Sequence, residues 1–363
     1  MSKYQIERYA NDTSKERLEV IQAFSKLRYV RSENSIGAMV LTLPKGNYSY
    51  EDFRVGQVLE IWREKYGVNS LQNETAYFIQ DWEFYTDSQG HDLIDITATD
   101  ANWLLDTRVT AWAVGSTEVT QTDYADDMIK VVANKNIGAN ARFQKITVAP
   151  ELGLGASISK QFAWRNMLTV LQEIAEASTN TGTYLVFDVV RIAPCTFELR
   201  TYTGQRGIDH SRTSGDVRLV GKQYGNLVEP RIGTYHSDEI NHCYVGGWGE
   251  GSAREIGVTA DYTRQASSHW NRREIFIDGG NATTNAQLDA EGNAKIAEMQ
   301  PKQIMTGQLV DTPGMRYGIE YGFGDIVSVE AFGQFVDCHV STVMVTVDGD
   351  GGEQLDIRLK GEL

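Results

Sequence analysis

Six prolines stand against 34 glycines in this chain, and its apolar residues come in short, often alternating runs. Proline cannot donate to a strand ladder, so its scarcity leaves long ladders uninterrupted, while glycine supplies turns and bulges. The balance predicts a β-rich chain. The first hundred residues carry that pattern: apolar runs span 18–31 and 37–43, separated by the polar turn Ser32-Glu33-Asn34-Ser35, and Pro44 and Gly46 close the second run. From Val58 to Trp62 apolar and polar residues alternate, with Val58, Glu60 and Trp62 on one face and Leu59 and Ile61 on the other. One face is expected to meet a core and the other partly to meet solvent. Strands at 76–85 and 92–99 flank Asp87-Ser88-Gln89-Gly90 and form a hairpin. About five antiparallel strands in such a length predict a small barrel or sandwich.

Between about 113 and 210 the period changes. Thr122 is placed to cap a helix whose first turn carries Asp123, Asp126 and Asp127, where the helix dipole favours acids. Tyr124, Met128, Val131 and Val132 then form one apolar stripe. A second helix is expected at 161–177, with Phe162, Met167, Leu168, Leu171 and Ile174 on one side. Two strands, 183–192 and 196–203, joined at Ala193-Pro194, complete a small α/β module. From about 217 strands return. Thr284 with Gln287 makes a capping box, Leu288, Ala290, Ala294 and Ala297 give the helix a modest apolar face, and Pro301 stops it. Three strands, 325–330, 334–347 and 353–360, close the chain, the last two joined by Asp348-Gly349-Asp350-Gly351-Gly352. No repeat of fixed period is apparent. The expected fold is a β-rich α+β chain: a first β-barrel over 1–112, an α/β module over 113–216, and a second β-barrel over 217–363 with a helical insertion around 283–300.

A formal charge of −15 leaves no excess of Lys and Arg to neutralise phosphates, which argues against non-specific nucleic-acid binding. It suits a soluble surface, or a conduit past which nucleic acid slides without sticking. No stretch of about 18 apolar residues could span a bilayer. The first residues contain no apolar core or cleavage site, so folding in the cytoplasm of synthesis is expected. Cys195, Cys243 and Cys338 are odd in number and far apart, which predicts reduced, partly buried thiols.

No group of residues carries a convincing chemistry. His236, Glu239, His242 and Cys243 are of zinc-binding type, but the spacing fits neither a His-Glu-x-x-His helix nor a finger, and along one strand the two histidines would lie roughly 20 Å apart. Asp348, Asp350 and Glu353 are too closely spaced for a calcium loop of the hand type, and a polar turn predicts the same composition. Gly246-Gly247-Trp248-Gly249-Glu250-Gly251 lacks the Lys-Ser/Thr ending of a phosphate loop. Leu152-Gly153-Leu154-Gly155-Ala156-Ser157 precedes a predicted helix but continues with Ile158 where a dinucleotide fingerprint needs Gly or Ala. Asp81 with Glu83, and Glu173 with Glu176, are the sort of carboxylate pair a glycosidase uses, yet 49 acidic residues make such pairs inevitable. Seven tryptophans (Trp62, Trp82, Trp103, Trp112, Trp164, Trp248 and Trp270) could stack on sugars or anchor a core or interface. The reading assigns no catalytic, cofactor or metal residue.

The order of features resembles the tail-hub (baseplate-hub) proteins of long-tailed bacteriophages. The residues that carry it are Gly37-Ala38-Met39-Val40-Leu41-Thr42-Leu43-Pro44 and Gly56-Gln57-Val58-Leu59-Glu60-Ile61-Trp62-Arg63 near the start. In the middle they are Gly204-Gln205-Arg206-Gly207-Ile208-Asp209, Gly225-Asn226-Leu227 and Asn241. Near the end come Trp270-Asn271-Arg272-Arg273-Glu274-Ile275-Phe276-Ile277-Asp278 and Tyr321-Gly322-Phe323-Gly324-Asp325-Ile326-Val327. The resemblance implies a homotrimer in which each chain gives two similar barrels to a pseudo-sixfold ring. Such a ring would dock on a hexameric distal tail protein, hold the end of the tape-measure protein, contact other tip or fibre proteins and let DNA pass without specific binding. It implies a structural virion protein of the tail tip, and the chain's end at Leu363 argues against an appended lytic enzyme. The alternatives from other classes are a carbohydrate-binding adhesin and a cell-wall hydrolase.

Overall fold

The computed structural model describes residues 4–64, 70–110, 119–141, 145–162, 164–279, 282 and 284–362. Trp112 and the expected boundary between 112 and 113 lie outside them. The first block holds β1 (Tyr4–Tyr9), β2 (Arg17–Ile21), β3 (Lys26–Ser32), β4 (Ala38–Pro44), β5 (Val58–Glu64), β6 (Leu71–Thr86) and β7 (Asp92–Asp100). The single run read over 18–31 is therefore two strands. β5 departs from the predicted half-solvated strand, because both of its faces are covered. Leu59 and Ile61 enter the main core, whereas Val58 joins a second core under the middle of the chain. Glu60 on that same face is fully buried and paired with Arg191 at 2.7 Å.

The middle of the chain begins with α1 (Trp103–Asp106), β8 (Val119–Tyr124), α2 (Ala125–Asn136) and β9 (Thr147–Val148). It continues with β10 (Ser157–Phe162), α3 (Met167–Asn180), β11 (Leu185–Ala193) and β12 (Thr196–Thr203). Both predicted helices exist but start later than expected. Thr122 and Asp123 belong to β8, and Gln161 and Phe162 to β10, because these two segments pair with each other as antiparallel strands. Met128, Val132, Met167, Leu168, Leu171 and Ile174 are buried as read, whereas Tyr124 is exposed at the head of α2. The 3-stranded sheet β11-β12-β9 receives the helices. Two asparagines tie it to the first block by standing in for strand neighbours. Asn34 donates to the Leu185 carbonyl (2.9 Å) and accepts from the Phe187 amide (2.8 Å), and Asn102 accepts from the Val189 amide (2.9 Å).

The last part runs β13 (Asp209–His210), β14 (Leu219–Gly221), β15 (Leu227–Tyr235), β16 (His242–Gly246), β17 (Ile256–Ala260), α4 (Tyr262–Ala266) and β18 (Glu274–Asp278). After these come α5 (Asn285–Glu298), β19 (Lys302–Leu309), β20 (Ile326–Ala331), β21 (Gln334–Asp348) and β22 (Glu353–Glu362). Strands β16–β18 make a separate small sheet. Under α5 a satellite core forms from Cys243, Val245, Ala282, Leu288 and Ile296. Thr284 caps α5 as predicted, accepting from the Gln287 amide. The buried face is not the alanine face: Ala290 and Ala294 are exposed, and Leu288, Gly292 and Ile296 face inward. A Cβ at Gly292 would lie 2.2 Å from Thr259 Oγ1, so glycine sets how closely this helix approaches the sheet.

The two β-rich blocks are joined in one sheet. Among the described residues its order is β15-β19-β22-β21-β3-β4-β7-β6-β5-β1-β2, with β20 beside β21 and β13 and β14 beside β20. Among the described residues this path is open, and no closed barrel is found. The join is β21, whose residues Thr342–Asp348 pair with Ser32–Lys26 of β3. One hydrophobic core runs through the join, from Ile6, Tyr29 and Leu41 to Val343 and Ile357.

Within this sheet a five-strand unit occurs twice with matching registers. The neighbour order β3-β4-β7-β6-β5 in one unit is β15-β19-β22-β21-β20 in the other. Gly56 donates to the Ile79 carbonyl and the Ile79 amide to Gln57, while Gly324 donates to the Val340 carbonyl and the Val340 amide to Asp325. Both glycines have φ near +80° (82 and 83), a region that side chains disfavour. The bulge between Ile79 and Asp81 recurs between Val340 and Thr342. Beyond it Thr86↔Asp92 matches Val347↔Glu353, and the turn bond from Gly90 to Asp87 matches that from Gly351 to Asp348. Leu27↔Leu41↔Ile96 in one unit corresponds to Leu227↔Leu309↔Ile357 in the other.

Candidate assembly site

Charged residues are buried where the blocks and the middle segment meet. Arg63 donates to Glu353 Oε1 (2.6 Å), and the Tyr4 hydroxyl donates to Glu353 Oε2 (2.6 Å). Glu353, read from sequence as the first residue of the closing strand and weighed with Asp348 and Asp350 as a cation ligand, instead fastens β22 to β1 and β5. Alongside, Arg31 pairs with Glu74 (3.4 Å), which also accepts from the Tyr317 hydroxyl (2.8 Å). A polar cavity of about 180 Å³ opens between β3, β6, β11 and the loop before β20. On its wall Phe323 lies under two guanidinium groups, Arg31 at 4.4 Å and Arg206 at 5.0 Å from the ring centre. Arg206 is held by Asp188 at 2.5–2.8 Å.

Burial sets the ionisation of this junction. Asp100 is pushed up to about 8 by burial and by the nearby Asp188 carboxylate, against the amides of Gly37 and Asn102, which favour the charged form. Glu33 is raised to about 7 by burial although the Tyr184 hydroxyl donates to it. His339, stacked on Tyr184 with ring centres 3.9 Å apart, is lowered to about 4 by burial and by Lys360. Such buried pairs tie elements together rigidly, because breaking one leaves a charge without a partner in a low dielectric.

Most of the described residues weighed for chemistry are taken up by structure. Glu239 is 2% exposed and is bonded by His236 (2.8 Å). Burial would raise its pKa, but the hydrogen bonds from His236, Asn271 and Asn241 outweigh that and hold it below the usual range. His242 faces Gln265 and Arg272 instead (3.2 and 3.3 Å), and Cys243 is buried in the satellite core. Among the described residues no group of three or more His, Cys, Asp or Glu is placed to hold a metal. Asp348 to Gly352 form the predicted hairpin turn.

The segment Leu152–Ala156 leads into strand β10, which begins at Ser157, not into the predicted helix. Its amides at Leu152, Gly153 and Leu154 are occupied by the carboxylates of Asp127 and Asp126 (2.6–3.1 Å), so the chain's own acids sit where a phosphate would. Asp126 in turn pairs with the buried Lys130 at 2.8 Å, a charge that sequence reading missed because α2 was expected to bury only its apolar stripe. Glu173 binds Arg165 and Glu176 binds Lys302, whereas Asp81 and Glu83 are exposed on β6. The cysteines are free, and burial pushes Cys195 and Cys338 up to about 12. Trp62, Trp82 and Trp103 are partly buried, and Trp62 lies under Arg191 at 5.3 Å. Trp164, Trp248 and Trp270 are exposed on three different segments.

Residues 9–359 match the family described as Siphovirus ReqiPepy6 Gp37-like protein. The chain belongs to that family. The resemblance to a tail-protein family of long-tailed phages therefore holds over nearly the whole chain. No curated protein matches. Among solved structures the fold is similar to the 43 kDa tail protein of prophage MuSo2 from Shewanella oneidensis, at 12% identity and TM-score 0.58, covering 99% of this chain and 98% of that one. It is also similar to the tail protein from Neisseria meningitidis MC58, at 13% identity and TM-score 0.55, covering 99% and 96%. At these identities the likeness is one of fold, and it is the fold of phage tail proteins. Among the described residues no helix is long and apolar enough to cross a membrane.

Proposed function

We propose that the chain is a structural hub of a long-tailed phage tail tip, acting without catalysis as a homotrimeric ring. Residues 1–112 and 217–363 would each supply one barrel-like block to the ring, with 113–216 as an α/β module attached to the first. The observation that carries this reading is the five-strand unit present twice with the same registers and the same bulge. Three chains with two like units each offer six like surfaces, which is what contact with a sixfold partner such as a distal tail protein requires. The ring would anchor the tape-measure protein, adapt the tube to other tip proteins, and open for DNA.

A trimer would carry about 45 negative charges on the −15 per chain. Burying unpaired carboxylates costs several kcal/mol each, so most of this excess must face solvent. An acidic or neutral lumen lets DNA pass without counterion-releasing contacts. The test is native mass spectrometry of the full chain, concentrated and in assembled tails. A threefold mass supports the hub, and a stable dimer or tetramer in the particle refutes it.

A further inference from the structure

The duplication leaves one edge filled in the second unit and open in the first. Along β21, β20 covers residues 334–339 and β3 covers 342–348 on the edge opposite β22. Along β6, β5 covers only Leu71–Phe78, and beyond it Gly56 and Gln57 bond Ile79. From Asp81 to Thr86 the strand pairs with β7 alone, and among the described residues no backbone group bonds its other edge. At the far end of the sheet β15, the counterpart of β3, pairs with β19 alone. Each open edge thus lacks the neighbour that the other unit has, and unpaired strand edges of this kind are templates for a further strand.

We propose that β15 of one copy of this chain pairs antiparallel with the Asp81–Thr86 edge of β6 in the next copy, reproducing between chains the β21·β3 join inside each chain. The proposal rests on the hub reading and deepens it by naming the contact that closes the ring. The internal join fixes the register. Met344 pairs with Val30 and Asp356, and Glu83, which pairs with Asp95, is the counterpart of Met344. Arg231 pairs with Thr306, and Thr306 with Lys360. In the first unit the matching ladder is Thr99 with Ala38, and Val30 is the next residue of β3 after the Tyr29↔Met39 pair.

Carried across, Arg231 falls opposite Glu83. Both are exposed, and among the described residues neither has an ion-pair or hydrogen-bond partner, so the contact joins opposite charges that are otherwise unmatched. The bulge at Glu229-Pro230 has no counterpart in β3, which confines the pairing to the stretches on either side of it. A proline there also discourages indiscriminate strand addition. The interface is head to tail, so it does not stop at a pair, and it closes into a ring when each contact turns the chain by one third of a circle.

Disulfide trapping on the full chain tests this, since opposed residues of an antiparallel pair bring their Cβ atoms to about 4.5–5.5 Å, near disulfide reach. Under mild oxidation at high concentration, the double variant Glu83→Cys/Arg231→Cys is expected to give covalent species ending at three chains. A mixture of the two single variants should give covalent pairs only. Each single variant alone, and the wild type with its three native thiols, should give neither. Charge reversal is the second arm: Glu83→Arg weakens association by about tenfold, and adding Arg231→Glu restores it. A trimeric mass with no cross-link in the double variant overturns this contact while leaving the hub standing. Self-cross-linking of either single variant overturns it in favour of a twofold interface, and a chain that stays monomeric in assembled tails overturns the hub reading itself.

Discussion

In the first five-strand unit β5 is buried on both faces, its outer side covered by the α/β module through Glu60 and Val58, and the unit ends on a bare stretch of β6. In the second unit β20 instead takes the short parallel strands β13 and β14 beside it, and the corresponding stretch of β21 is filled by β3. The backbone frame is held in common and the side chains are not. Asp100, a buried carboxyl in the first unit, stands where the second has Gly361, as the Asp100 amide bonds Gly37 just before β4 and Gly361 pairs with Met305 of β19, the counterpart of β4. What is kept between the units is the hydrogen-bond geometry of a positive-φ glycine, a two-bond entry and a bulge. That geometry fixes how the long strand bends, and many side chains satisfy it.

The largest effect is expected at the tie between the units. Arg63→Leu leaves the partly buried Glu353 without its cation and should cost about 3 kcal/mol, the lower end for a buried pair, read as a lower urea midpoint. A loss below about 1 kcal/mol would mean that the junction is dispensable. Next are the paired glycines. Each alanine substitution meets the positive-φ penalty of about 1–2 kcal/mol. At Gly324 the new Cβ would also lie 2.7 Å from the Arg206 Cβ, whereas at Gly56 the nearest atom is Asn11 Cβ at 3.8 Å. Gly324→Ala should therefore destabilise more than Gly56→Ala in parallel melts, and the reverse order would break the assigned correspondence.

The pH dependence of the first unit gives a further test. Asp100, raised from 3.8 to about 8, keeps a proton in the folded state that the unfolded chain releases. Its contribution is present below the unfolded pKa and is lost as pH rises through about 8. Asp100→Asn should flatten the fall in stability between pH 4 and 8, measured by denaturant titration at several pH values. Glu33, raised to about 7, leaves part of that slope in place. A slope identical to wild type would mean that Asp100 is ionised in the folded protein.

Strands were legible wherever alternation met a turn signal, as at Asp87–Gly90 and Asp348–Gly352, because those signals act over a few residues. Helix starts were misplaced at Thr122 and Gln161, since capping chemistry cannot reveal that the two segments pair with each other far along the chain. The face of α5 was misread because Gly292, not alanine, permits the close approach. The duplication, implied by the family resemblance, carries no fixed period in the sequence for a similar reason. The β16–β18 sheet and α5 are inserted between β15 and β19, and the Glu64–Leu71 connection is longer than Phe332-Gly333. The spacing therefore drifts while the registers do not. Of the junction, sequence placed Glu353 at the head of the last strand but not its buried pairing, because its partners Arg63 and Tyr4 lie at the other end of the chain.

Cryo-electron microscopy of an assembled tail tip tests the central claim most directly. The account predicts three copies of this chain in one ring, their six five-strand units alternating around the tube, with an acidic or neutral inner surface. A ring of two or four copies, or one in which only one unit of each chain lines the tube, would contradict it.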